Sequence, residues 1–196
     1  ERKCNMKKKL LALTLALMVA FAFTACSGSE EEQSSETANP ITECSYDDMV
    51  SKTGIDIKAP DDAGDAVYSY IETDTGLIAQ VTFKADDVDY CYRCKSTDVT
   101  DFGGGSGDDP QGSFQTAMEQ ADELTGMNYQ WNVSATSLVK DRDAVFGIKN
   151  AEKEGFVAWL DVAPGFMYSL SAKPATDGEA LVKMAEKIFV PMQGEV

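Results

Sequence analysis

The chain has 196 residues, no histidine, 17 basic against 33 acidic side chains, and a net charge of −16. The missing histidine excludes Ser-His-Asp and Cys-His catalysis, histidine-ligated zinc and a histidine general base at neutral pH. Five basic residues and one acid precede Cys26, so the net charge from Cys26 onward is −20. That charge repels phosphates and argues against a nucleic-acid partner and against electrostatic docking on anionic lipid.

Residues 1–5 precede Met6 and read as an upstream extension, to be set aside. Lys7, Lys8 and Lys9 then form a basic n-region, and residues 10–23 are apolar apart from Thr14. Small residues, Thr24 and Ala25, lead into Cys26. This is the order of a secretory signal peptide, and the apolar run is shorter than the roughly 20 residues of a membrane span. The FTAC at 23–26 resembles the lipobox of bacterial lipoproteins, with Phe23 where Leu is usual. The resemblance implies cleavage before Cys26 and a diacylglycerol group on its thiol. Two acyl chains suffice for stable anchoring where one does not.

Residues 27–40 are polar and acidic, with Glu30, Glu31, Glu32 and Glu36. Such a segment cannot bury enough apolar surface to fold, and reads as a solvated tether reaching at most about 45–50 Å. The expected organisation is a signal peptide at 1–25, a lipidated cysteine with its tether at 26–40, and one globular domain at 41–196.

Within that domain the spacing predicts a short helix over 45–53, with Ser45 as N-cap and Gly54 as stop. A brief strand is expected at 55–58 and another at 67–71. Leu77, Ala79, Val81 and Phe83 alternate with Ile78, Gln80 and Thr82. After a turn at 85–87, Val88, Tyr90, Tyr92 and Cys94 alternate with Asp89, Cys91 and Arg93, completing a hairpin. Residues 97–112 read as a Gly/Asp-rich loop, and 113–124 as a helix stopped by Gly126. Alternation returns at Met127, Tyr129, Trp131 and Val133, then at Ala144, Phe146 and Ile148. A second hairpin joins Phe156, Ala158, Leu160 and Val162 to Phe166, Tyr168 and Leu170 through Pro164-Gly165. A closing helix carries Leu181, Met184, Ala185 and Ile188 on one face, with Thr176 and Glu179 as a capping box. The fold class expected is α+β: a twisted antiparallel sheet of six or seven strands, covered on one face by the C-terminal and middle helices.

Candidate chemistry is sparse. Cys91 and Cys94 have redox CxxC spacing, but on a strand residues three apart point to opposite faces and cannot bridge. A disulfide from Cys44 to either of them, and free thiols, both remain open. Asp98, Asp101, Asp108 and Asp109 lack the alternate-acid pattern of a calcium loop. Asp86, Asp87 and Asp89 at a hairpin tip suit turn formation more than acid/base work. Tyr68, Tyr70, Tyr90, Tyr92, Tyr129, Trp131, Trp159 and Tyr168 suit sheet packing, or an aromatic platform with Trp159 as its most interesting member. No catalytic residue, metal site or cofactor is assigned, and the chain reads as a non-enzyme.

A set of short motifs carries a family resemblance: Asn39-Pro40 with Glu43, IKAP at 57–60, IAQVTF at 78–83, YR at 92–93, LTGM at 124–127, AW at 158–159 and YSLS at 168–171. Residues 39–190 resemble a domain family of Gram-positive lipoproteins that is also attached to anti-sigma-like membrane proteins, with 98–122 as an insertion. The resemblance implies location and fold, and no activity or site residue. The expected protein is an extracytoplasmic lipoprotein held on the outer face of the membrane through Cys26, binding or sensing an extracellular ligand. A carboxylate-based envelope hydrolase and a partner module of a membrane complex are the alternatives.

Overall fold

A computed structural model describes residues 39–102, 110–126, 130–150 and 153–191, with the backbone alone at 110–114, 130–138, 148–150 and 153–154. The strands are β1 (Ile41–Cys44), β2 (Gly64–Thr73), β3 (Gly76–Ala85), β4 (Val88–Ser96), β5 (Gln130–Val139), β6 (Arg142–Asn150), β7 (Lys153–Asp161) and β8 (Phe166–Lys173). The helices are α1 (Tyr46–Thr53), α2 (Pro110–Thr125) and α3 (Gly178–Ile188). One eight-stranded sheet runs β1-β2-β3-β4-β8-β7-β6-β5, antiparallel throughout.

Two meanders meet at the β4–β8 seam, where Cys94 opposes Tyr168 and Tyr92 opposes Leu170. Their tight turns follow from residue type. Asp86 and Asp87 have φ of 48° and 61°, and Lys140 and Asp141 have φ of 45° and 64°. Two successive positive φ values make the turn whose twist matches a hairpin, and aspartate tolerates that region better than most residues. The α+β class and the antiparallel sheet stand as expected, with α1 capped by Ser45 and ended by Gly54 at φ 71°.

Several details differ from the sequence reading. Residues 41–44 form an edge strand, whereas 55–58 do not pair. Ile55 and Ile57 are nevertheless buried, so their alternation reflects a packed connector. The N-cap of α3 is Asp177, whose carboxylate accepts from Ala180 N. Asp177 thus does at one position later what Thr176 was expected to do.

The larger correction concerns the covering of the sheet. Residues opposite one another in antiparallel strands share a face, and the register sorts the core into two clusters. Ala79, Val81, Tyr92, Cys94, Val157, Trp159, Tyr168 and Leu170 pack with Met49 of α1 and with Leu181, Met184, Ala185 and Ile188 of α3. Ile71, Ile78, Val145, Phe156, Ala158, Leu160 and Met167 point the other way and pack with Ala117, Met118, Ala121 and Leu124 of α2. The two expected covering helices therefore lie on opposite faces. The chain must cross from central β4 to edge strand β5, and α2 makes that crossing on the face that α1 and α3 leave open. Both clusters lie within one compact unit, Thr37–Val196.

Candidate functional site

The predicted lipidation residue Cys26, the whole 6–26 stretch, Asp108, Asp109 and Tyr129 lie outside the described residues, as does the side chain of Trp131. The remaining candidates are placed and mostly separated. Cys91 opposes Thr82 and Ser171, whereas Cys94 opposes Ala79 and Tyr168 on the other face, so the two thiols cannot bridge. Cys44 sits on β1, three strands from β4; at about 4.8 Å per strand that is beyond disulfide reach. All three are free. Asp86 and Asp87 occupy the turn itself. Asp98 accepts from Gln120 Nε2 at 3.0 Å, tying the post-β4 loop to α2. Trp159 is not an exposed platform: it is wholly buried and packs against both Tyr92 and Tyr168, at 5.8 and 5.5 Å with interplanar angles of 14° and 9°, the two tyrosine rings themselves lying 6.1 Å apart.

Two polar foci were not legible in the motifs. The first docks α2. Arg93 and Lys95, alternate residues of β4, face α2. Arg93 donates through Nη1 to Leu124 O (3.0 Å) and Thr125 O (2.7 Å), two carbonyls of the last helical turn that lack intrahelical partners. A cation there also meets the negative end of the helix dipole. Its Nε donates to Gln80 Oε1 at 2.7 Å, and Gln80 Nε2 donates to Ser69 Oγ at 2.9 Å. Lys95 is 5 % exposed and pairs with Glu123 Oε2 at 2.5 Å, while Thr75 donates to the other Glu123 oxygen. Burial pushes the Glu123 carboxyl up, but hydrogen bonds from Lys95, Thr75 and Thr73, with the Lys95 charge, outweigh it and hold the group below its usual range. A small open cleft lies beside this pair, lined by Thr53, Thr73, Thr75, Lys95 and Ser96.

The second focus lies in the other face's core, where β4, β8, β7 and β6 carry Cys94, Tyr168, Trp159 and Ala144 across one row. Asp161, one strand period beyond Trp159, is 1 % exposed and accepts from Arg142 Nε at 3.0 Å through Oδ1. Its Oδ2 and Trp159 Nε1 are buried and have no hydrogen-bond partner among the described residues, while the Tyr168 hydroxyl meets the Cys94 thiol. Burial first, then the nearby Cys94 and Asp161, pushes the Tyr168 hydroxyl far above its usual range. Burial likewise raises the Cys94 thiol, so Cys94 is inert as a nucleophile at neutral pH. Phe189, just past α3, closes the focus edge-on against Trp159 and Tyr168, with centroids at 5.7 and 5.0 Å. Lys140 Nζ donates to the Phe189 carbonyl at 2.5 Å and fixes that segment.

Among the described residues, no group of three or more Cys, Asp or Glu side chains is placed to hold a metal ion, and no helix is long and apolar enough to cross a membrane. No family model, no curated protein and no solved structure matches this chain.

Proposed function

We propose that this chain is an extracytoplasmic lipoprotein whose globular domain binds or senses a ligand at the envelope without catalysis. The observation that carries the proposal is the order of residues 6–26: basic start, apolar run, small residues, cysteine. The acidic tether then leads directly into β1. The non-enzymatic part of the reading is supported by how the carboxylates are disposed. Asp161 is tied to Arg142, Glu123 to Lys95, Glu72 to Lys52 and Asp62 to Lys187, so these acids serve ion pairs dispersed over the molecule. Ile41, Val67, Val162 and Val190 are the large apolar side chains exposed among the described residues, and a few exposed apolar residues are ordinary surface.

The test is Cys26→Ala in the full chain, followed by membrane fractionation and labelling with a radioactive fatty acid. The expected outcome is loss of label together with release from the membrane fraction or stalled processing. A variant that still takes label and fractionates like the parent rules out Cys26 as the anchor.

A further inference from the structure

We propose that Cys91 and Gln80 close an internal thioester, a covalent site for primary amines on the α2 face of the sheet. Gln80 opposes Arg93 and Cys91 opposes Thr82, so the thiol and the carboxamide are diagonal neighbours on one face of the β3–β4 hairpin. Cys91 is a free thiol and donates to Gln80 Oε1 at 3.6 Å. The amide carbon is one C=O bond, about 1.2 Å, from that oxygen. A nucleophile and an acyl carbon held side by side react as if each were at very high concentration.

The neighbours fix and polarise the amide. Arg93 Nε donates to the same Oε1 at 2.7 Å. A guanidinium has no acceptor, so the atom it meets is the carbonyl oxygen and not the nitrogen. The guanidinium is itself aimed by α2, whose Leu124 and Thr125 carbonyls hold Nη1 at 3.0 and 2.7 Å. It therefore stands where negative charge develops as sulfur adds to the carbon, the place of an oxyanion donor. On the other side Gln80 Nε2 donates to Ser69 Oγ at 2.9 Å, which holds the departing nitrogen. Gln80 and Ser69 are buried, which keeps water from the acyl group, whereas Cys91 is half-buried and leaves the sulfur side open to solvent.

Closure forms a bond between Cys91 Sγ and Gln80 Cδ and breaks the bond from Cδ to Nε2. The nitrogen leaves as ammonia, taking the thiol proton, and nothing is oxidised or reduced. An amide is a poorer acyl donor than a thioester, so closure rests on proximity, on Arg93 and on the escape of ammonia into dilute solution. A primary amine then opens the ring: its nitrogen bonds to Cδ, its proton passes to sulfur, and a substituted amide at 80 and a free Cys91 thiol result. This chemistry is stoichiometric and independent of the anchor at Cys26, and it gives ligand binding a covalent mode.

The test is mass spectrometry of the full chain, purified folded at neutral pH without reductant or amine buffer, digested before and after treatment with methylamine. The expected product is a peptide carrying Gln80 joined to the one carrying Cys91 and lighter by one ammonia. Methylamine should separate the two, leaving an N-methylated amide at 80 and an alkylatable thiol at 91. Glutamate at 80 in the parent, with glutamine retained in Cys91→Ala, is the hydrolysed thioester and supports the bond equally. Cys94→Ala, on the other face, should keep the cross-link. An intact Gln80 amide beside a free Cys91 thiol, with no methylamine uptake, overturns the thioester. So does methylamine or glutamate appearing at 80 as readily in Cys91→Ala as in the parent.

Discussion

At the scale of single residues, the most constrained position is one that no motif marks. Gly147 sits opposite Phe156 on β6, and a Cβ built there would come within 1.9 Å of the Phe156 ring, which is wholly buried. The ring has no room to retreat, so an added methyl must displace the core. We predict that Gly147→Ala destabilises the unit by about 1–3 kcal/mol, the usual cost of overpacking. Gly64, where an added Cβ meets nothing within 4 Å, is the control. Urea denaturation of both variants checks this; equal midpoints would show that the ring yields. Sequence reading had no access to the constraint. Ala144, Phe146 and Ile148 form an alternating set in which the intervening glycine carries no local signal, because the obstacle comes from another strand. The cysteines are the opposite case. That Cys91 and Cys94 point apart follows from strand geometry alone, and the register bears it out.

At the scale of elements, α2 and α3 are attached by different physics. α3 is held by an apolar stripe of Leu181, Met184, Ala185 and Ile188. Truncating a buried Leu or Ile to Ala costs roughly 2–5 kcal/mol, against a total stability of about 5–15. Leu181→Ala with Ile188→Ala should therefore unfold much of the population at ordinary temperature, and a double variant melting within a degree or two of the parent contradicts that role. α2 adds to its apolar stripe the polar ties of Arg93, Lys95 and Glu123. Because folding lowers the Glu123 pKa, the tie contributes stability above the ordinary glutamate range, about pH 4–4.5. It is lost as the pH falls through the lower folded value. Glu123→Gln should thus melt below the parent at pH 7, with the gap narrowing as the pH drops below about 4. A gap independent of pH would mean that the charge contributes nothing.

At the scale of the whole molecule, local sequence determined a great deal. Alternation located the strands of both hairpins, Ser45 and Gly54 bounded α1, and the face of α3 was readable because its 3.6-residue period survives in the buried set. The order of residues 6–26 and the acidic composition of 27–40 belong to the sequence itself, independent of any fold. What only the tertiary structure decided was which alternating sets share a face. Alternation marked 156–162 and 166–170 as the two strands of one hairpin but left their register open; the structure pairs Tyr168 with Trp159 and Leu170 with Val157. That register splits the core in two and sends α2 to the far side. A hint was present in the unbroken apolar run at 156–160, since a strand buried on both faces has no polar alternation to show. The polar foci were hidden for the same reason. Arg93 and Lys95 find the end of α2 some 30 residues later in the chain, and Trp159, Asp161 and Tyr168 converge only once β7 lies beside β8. Period and composition act within a few residues, whereas register is set by which turn closes and which face a crossing helix finds free.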